Sequence, residues 1–304
     1  MAEWRNTAIM KTILITGAKG QLGHALMRYS GRDSSLRFVP ADLADADITV
    51  LDEVIRLVRQ AKPDILINCA AYTAVDQAES DEDRAFLVNA VGPKNLSIAS
   101  FDLGIPMVQI STDYVFDGSG AKDRDGRVRP YRESDPVSPR TVYGRTKRLG
   151  ELMTMQHNPR HYIIRTAWLY GEGHNFVRTM LRLASGQDSV RVVDDQTGSP
   201  TSADELARVI LALIRTGQYG LYHGTCEGAC TWYDFTREIY RLRGIRKEVL
   251  PISSEDYPTP ARRPAYSVLE NYLLDQTTGI RFASWQDAIR DYLCDQAVCT
   301  GPPE

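Results

Sequence analysis

Tyr143 and Lys147, in the run Tyr143-Gly144-Arg145-Thr146-Lys147, are the two side chains whose types and spacing most directly suggest chemistry. Residues at i and i+4 share one face of a helix. An ammonium beside a phenol favours the phenolate and lowers the phenol's pKa from its usual value of about 10. Such a phenol can give a proton to a ketone oxygen as hydride reaches the carbon, and the same lysine can hydrogen-bond a nicotinamide ribose. A Tyr-x-x-x-Lys run also arises by chance as a surface pair. Its place here, at the start of the helix after the fourth expected strand, favours the catalytic reading. That strand ends in Ile110-Ser111-Thr112-Asp113-Tyr114-Val115-Phe116. A hydroxyl from Ser111 or Thr112 could bond the ketone and share its polarisation, although both residue types also simply terminate strands.

A hydride donor needs a cradle. Gly17, Gly20 and Gly23 punctuate Thr16-Gly17-Ala18-Lys19-Gly20-Gln21-Leu22-Gly23 between an apolar run and a helical pattern. Glycine permits the tight turn at the first position, close approach of backbone to a pyrophosphate at the second and close helix–strand packing at the third. A helix N-terminus then offers N–H donors to the phosphates. An acidic residue about twenty positions on should meet the adenosine ribose, and Asp42 fits. Asp47 and Ile48 could hold the adenine, while Asp47 reads equally well as a surface carboxylate in an acidic loop.

The elements that must position these groups alternate. Residues 12–16, 37–39, 65–68, 107–111 and 162–166 read as strands, and residues 21–29, 51–60, 83–101 and 146–156 as helices. Leu51, Val54, Ile55 and Val58 fall on one helical face. Strands alternating with helices at this spacing predict an α/β fold with a doubly wound parallel sheet of the Rossmann type. Residues 11–170 form the expected NAD(P)-binding domain. Beyond them the rhythm loosens. Helices are expected over 176–184 and 203–215, and residues 171–295 read as mainly a smaller mixed α/β substrate lobe, with some segments returning to the first domain. Residues 1–10 are expected to be a poorly ordered extension, and 296–304 a tail. The polar stretch 117–139 is too long for an idle connection and is expected to be functional or mobile.

With 43% hydrophobic and 25% charged residues and a net charge of −3, the chain has no electrostatic case for nucleic acid or an anionic membrane. No run of eighteen apolar residues appears, as a spanning helix would need, and the first ten residues lack the apolar core of a signal peptide. The cysteines, Cys69, Cys226, Cys230, Cys294 and Cys299, are odd in number and lack paired spacing, which argues against a disulfide framework and a zinc site. A cytoplasmic protein with no metal is expected.

Taken together, the glycine turn, the run from Asn68 to Asp76 (Asn-Cys-Ala-Ala-Tyr-Thr-Ala-Val-Asp), the run from Ser111 to Gly118 and Tyr143-Gly144-Arg145-Thr146-Lys147 resemble the dTDP-4-dehydrorhamnose reductase family, within the extended short-chain dehydrogenases. The likeness continues in order through Arg165-Thr166-Ala167-Trp168, Asn175-Phe176-Val177 and Val193-Asp194-Asp195-Gln196, over residues 11–290. It implies transfer of hydride from NADPH or NADH to C4 of a dTDP-linked 4-keto-6-deoxysugar, giving dTDP-L-rhamnose. By the same resemblance Tyr143 is the proton donor, Thr112 its hydrogen-bonding helper, and Lys147 holds the cofactor and tunes Tyr143. Gly20, Gln21 and Leu22 would line the pyrophosphate, Asp42, Asp47 and Ile48 the adenosine end, and Ala70, Ala71, Tyr72, Thr73 and Ile110 the rest of the cofactor.

Thr112, Asp113, Trp168 and Asn175 would face the sugar nucleotide, with Trp168 a core tryptophan in the alternative. Arg262 would meet its diphosphate, or else sit in a salt bridge or solvated loop. Ala25 stands where some relatives carry a glutamate of a magnesium-linked dimer, so a monomer or a metal-free homodimer is expected. Two other readings fit the same motifs. One is a reductase of another such sugar, for instance the dihydrostreptose precursor. The other is a non-catalytic, NADP-binding regulatory subunit of methionine adenosyltransferase.

Overall fold

The computed structural model describes residues 10–299. Residues 1–9 of the expected extension and 300–304 of the expected tail lie outside them, whereas the first four residues of that tail continue the helix Trp285–Cys299. Six strands form one parallel sheet: β1 (Lys11–Thr16), β2 (Leu36–Ala41), β3 (Ile65–Asn68), β4 (Met107–Thr112), β5 (His161–Thr166) and β6 (Gly220–His223), in the order β2-β1-β3-β4-β5-β6. The strand order reverses between β1 and β3, the switch point at which open α/β sheets bind ligands.

Alternation along the strands explains why their sequences are apolar throughout. Ile13, Ile15, Ile65 and Ile67 enter one core, while Leu14 and Leu66 enter a second core on the opposite face with Val54, Val58 and Leu96. A parallel sheet covered on both faces needs such continuous runs. Helix α1 (Gln21–Met27) packs beside the helix Ala203–Leu213, and α2 (Leu51–Ala61) covers the second face with α3 (Gly92–Asp102).

Three differences from the expected elements matter for the site. The single helix expected over 83–101 is broken. Glu82–Phe86 leads into a π-helical turn at Leu87–Val91 before α3, a distortion frequent at functional sites. The helix expected from residue 146 begins earlier, as α4 (Val142–His157), because the Thr141 hydroxyl caps it by accepting from the Gly144 N–H at 3.0 Å. Tyr143 is therefore in its first turn. Third, β6 lies late in the chain, beyond the strands that the alternating pattern predicts.

The stretch 117–139 is stitched down. A small hairpin pairs Ala121–Lys122 with Val128–Arg129, and Ser119 and Tyr131 bridge to Tyr266 and Leu269. The Tyr131 hydroxyl donates to Asp117 at 2.7 Å, and Arg132 grips Glu270.

Helix α4 owes its position to glycine. A methyl group at Gly144 would overlap the Tyr114 carbonyl, so backbone touches backbone there. Although alanine is the better helix former, Gly144→Ala should destabilise the protein by about 1–3 kcal/mol because overpacking outweighs propensity. A lower urea midpoint with an unchanged slope would show it.

Candidate active site

A cavity of about 370 Å³ opens at the carboxyl ends of β1, β2 and β3, lined by Thr16, Gly17, Lys19, Gly20, Asp42, Asp47, Ile48, Cys69, Ala70, Ala71, Tyr72 and Arg84, among others. Gly17 sits at φ +70°, and a Cβ there would collide with the backbone of Ala70; one at Gly23 would strike the carbonyls of Gly17 and Ala18. The glycine turn is thus a cradle pressed against the end of β3. Gln21 adds a buried Oε1 with no partner. The Leu22 side chain is packed in the core, which leaves its backbone for a phosphate. These features fit a dinucleotide.

Asp42 is at the rim, accepting from the Lys19 N–H at 3.0 Å and the Leu43 N–H at 2.9 Å, so it ties the glycine turn to the end of β2. The Asp47 carboxylate accepts from the N–H and hydroxyl of Thr49 at 2.9 and 2.8 Å; these bonds hold its pKa below the usual range against the opposing effect of burial. Thr73 is exposed just beyond this lining.

Tyr143 stands between this cavity and a larger one. It packs against the same apolar cluster, Ala78, Ala85 and Val142, as Tyr72, which lines the first, and its ring meets Tyr114, which lines the second, edge to face at 5.5 Å. Its phenol hydrogen-bonds the Thr112 hydroxyl, which donates to Asp113 Oδ1 at 2.8 Å. The expectation that Lys147 lowers the phenol pKa is overturned. Burial pushes it up to about 12, against a downward pull from Thr112 and with a further rise from the Asp113 charge.

Lys147 is buried and donates to the Ile110 carbonyl at 2.6 Å. Desolvation lowers its pKa to about 8, partly opposed by the charge of Glu151 and by Cys69. Asp113 is also buried, which raises its carboxyl to about 6 despite bonds from Thr112 and Ser267, and its Oδ2 has no partner. Burial likewise pushes the Cys69 thiol, in the first cavity, up to about 12.

The second cavity, about 920 Å³, is lined by Tyr114 and residues 116–119, by Arg140 and Thr141 before α4, by Asp195 and Gln196, and by most of residues 254–265. Arg140, Arg262 and Arg263 line it together with Asp117, Asp195 and Glu255, so a cavity of nucleotide size offers arginine forks that match phosphate oxygens. Of the expected substrate residues Arg262 is in this lining; Thr112 and Asp113 lie beside Tyr143, and Trp168 and Asn175 lie elsewhere. Trp168, at φ +47°, stacks flat on Trp232 with centroids 3.4 Å apart and packs against Gly198, behind the Gln196 wall. Asn175 is turned inward, capping the helix Phe176–Gly186 through the Arg178 N–H and donating to the Gly171 carbonyl at 2.6 Å.

The profile of the RmlD substrate binding domain family matches residues 10–298. The chain belongs to the dTDP-4-dehydrorhamnose reductase family. It is 39% identical over 295 residues to the dTDP-4-dehydrorhamnose reductase of Aggregatibacter actinomycetemcomitans, covering 93% of this chain and 98% of that enzyme. A crystal structure of such a reductase from Clostridium acetobutylicum superposes with a TM-score of 0.89 at 47% identity, over 94% of this chain and 99% of that one. The Bacillus anthracis reductase, solved in complex with NADP, gives 0.90 at 36% identity, over 94% and 100%.

Within this reductase family frame, two residues to which the motifs assign no role help hold the site together. Asn89, in the π-helical turn, accepts from the Tyr72 N–H at 2.9 Å and donates to the Tyr72 carbonyl and the Thr146 hydroxyl. It pins the cofactor-side loop to the turn of α4 between Tyr143 and Lys147. Asp76 accepts from the Ala261 N–H at 3.1 Å and from Arg263 at 2.7 Å, joining the first lobe to the wall of the larger cavity. Only the unusual helix break could have flagged Asn89, and it has no sequence signature. Asp76→Ala should therefore loosen that wall and raise KM for the sugar nucleotide about tenfold with a smaller change in kcat, because a wall that holds ground state and transition state alike contributes uniform binding. Steady-state kinetics at saturating cofactor would separate the two.

Proposed function

We propose that this chain reduces the C4 ketone of dTDP-4-dehydro-L-rhamnose to dTDP-L-rhamnose with NADPH or NADH, using Tyr143 as the proton donor. The observation that carries the reading is the place of Tyr143, a protonated phenol held between a dinucleotide cradle and a nucleotide-sized, arginine-lined cavity.

The bound reduced nicotinamide supplies the hydride that the ketone carbon takes up. The chain's own residues do the rest. The phenol, at about 12, is fully protonated at neutral pH and gives its proton to the ketone oxygen as negative charge develops there. Thr112 is bonded to the phenol and can turn to the same oxygen, while Asp113 keeps an unpartnered Oδ2 for a sugar hydroxyl. The ammonium of Lys147, fixed on the Ile110 carbonyl beside Cys69, donates to the nicotinamide ribose in this reading, and solvent returns the proton to the phenolate. Arg262, exposed on the wall of the larger cavity, faces the diphosphate in this reading.

Following reduced-cofactor oxidation with the 4-keto sugar prepared in situ tests this. Tyr143→Phe should lower kcat by roughly 10²–10⁴-fold while leaving NADPH affinity near that of the intact protein. Tight NADPH binding without turnover of that sugar would move the assignment to another keto sugar or to a regulatory role. The protonated form of Lys147 is the working one, and its pKa is about 8. As pH rises through that value the ammonium is lost, so kcat/KM should fall on the alkaline side, and a profile flat beyond pH 9 would contradict the role given to Lys147.

A further inference from the structure

Tyr143 and Lys147 continue into a third residue on the same stripe of α4. Four positions beyond Lys147, and again on the inner face, lies Glu151, with 0% of its side chain exposed. Its carboxylate is fully engaged. Oε1 accepts from the Ser111 hydroxyl at 2.5 Å and from Arg165 Nε at 2.8 Å, and Oε2 accepts from Arg165 Nη2 at 2.9 Å and Arg148 Nη1 at 2.6 Å. Ser111 directly precedes Thr112 on β4, and Arg165 is its register neighbour on β5. Burying such charges is costly, and a well-packed apolar cluster of the same volume is often as stable. A stability role alone therefore explains poorly why ions sit here, against the strand end that carries Thr112.

The inventory of charge around Lys147 sharpens the point. From its own helix Glu151 acts on it, with Tyr143 one turn earlier on the same stripe and Arg148 bonded to Glu151. The segment after β3 contributes Cys69, the end of β4 contributes Asp113 through Thr112, and β5 contributes Arg165. Glu79 and Glu82, from the neighbouring segments, are committed to the Val142 N–H and to Arg145. Within this group Glu151 is the anion bonded to the cations, with Asp113 lying on the Tyr143 side.

We propose that Glu151 is a positioning residue for the Tyr143–Lys147 pair, fastening the end of β4 to α4 and supplying the negative charge one helical turn beyond the Lys147 ammonium. The proposal rests on the reductase reading above. Glu151 touches neither cavity and acts through Ser111 and Lys147.

The test compares Glu151→Gln and Arg148→Gln with the intact holoenzyme, reading the pH dependence of kcat/KM and, independently of turnover, that of NADPH affinity by fluorescence. Removing the anion should move the alkaline midpoint down by about one pH unit or more, with Glu151→Asp restoring part of it. Removing the Arg148 charge leaves Glu151 less neutralised and should move the midpoint up. Shifts of opposite sign are not what a merely structural role produces. Should Glu151→Gln fail to fold because Arg165 is left unpaired, Arg148→Gln, whose side chain is 24% exposed, decides alone. Midpoints unmoved in the variants that fold overturn the proposal. Lys147→Met separates the two failures: if it keeps full activity, the reductase mechanism falls, whereas if it is inactive while the midpoints stay in place, only the role of Glu151 falls.

Discussion

Contact of backbone with backbone between α4 and the chain around it sets the distances that the rest of the site inherits. Where Gly144 meets the Tyr114 carbonyl and Gly150 meets that of Asn89, no side chain intervenes. The helix lies nearer its neighbours than ordinary side-chain packing allows. Only at that separation can the phenol of Tyr143 reach a hydroxyl on the end of β4, Lys147 the Ile110 carbonyl and Glu151 the Ser111 hydroxyl. One spacing therefore serves three successive turns of the same stripe. The π-helical turn belongs to the same arrangement, because it brings Asn89 to both Tyr72 and Thr146.

The ionisable groups follow from this closeness. Burial raises the Tyr143 phenol and the Asp113 carboxyl and lowers the Lys147 ammonium, so each is pushed toward its neutral form. A phenol raised in this way keeps its proton at neutral pH. The Tyr–Lys spacing alone suggests a lowered phenol, because a sequence shows which charges are near one another along a helix but not how much water they lose. The Glu151–Arg165 pair is silent in the sequence for a related reason. Its partners lie fourteen residues apart and meet only once β5 is laid beside β4.

The fold was legible where local pattern and global packing agree. β3 falls on the residues its apolar run suggests, and the glycine turn joins β1 to α1 as its spacing implies. The doubly wound sheet follows from the alternation itself. Less legible were features decided by tertiary contact: the break at Leu87–Val91, the early start of α4 at its threonine cap, and β6, whose four residues carry little pattern of their own. The same distinction runs through the site. Residues tied to a local motif, such as Gly17, Asp42, Tyr143 and Lys147, lie at the cavities or between them. Asn175 and Trp168, far along the chain from those motifs, are committed to a helix cap and to a tryptophan stack.

The stitching of 117–139 to the segment around Tyr266 and Leu269 bears on how such a cavity can be remodelled. Ser119 and Tyr131 bridge to the very segment whose upstream arm, Arg262 to Ala265, lines the same cavity. The two segments are inherited as a single piece of architecture, although well over a hundred residues separate them in the chain. Transplanting either one alone into a relative would leave severed bridges and an exposed Tyr131–Phe116 stack. Chimeras that exchange sugar preference would have to carry both segments together, and natural diversification of this pocket faces the same requirement of paired change.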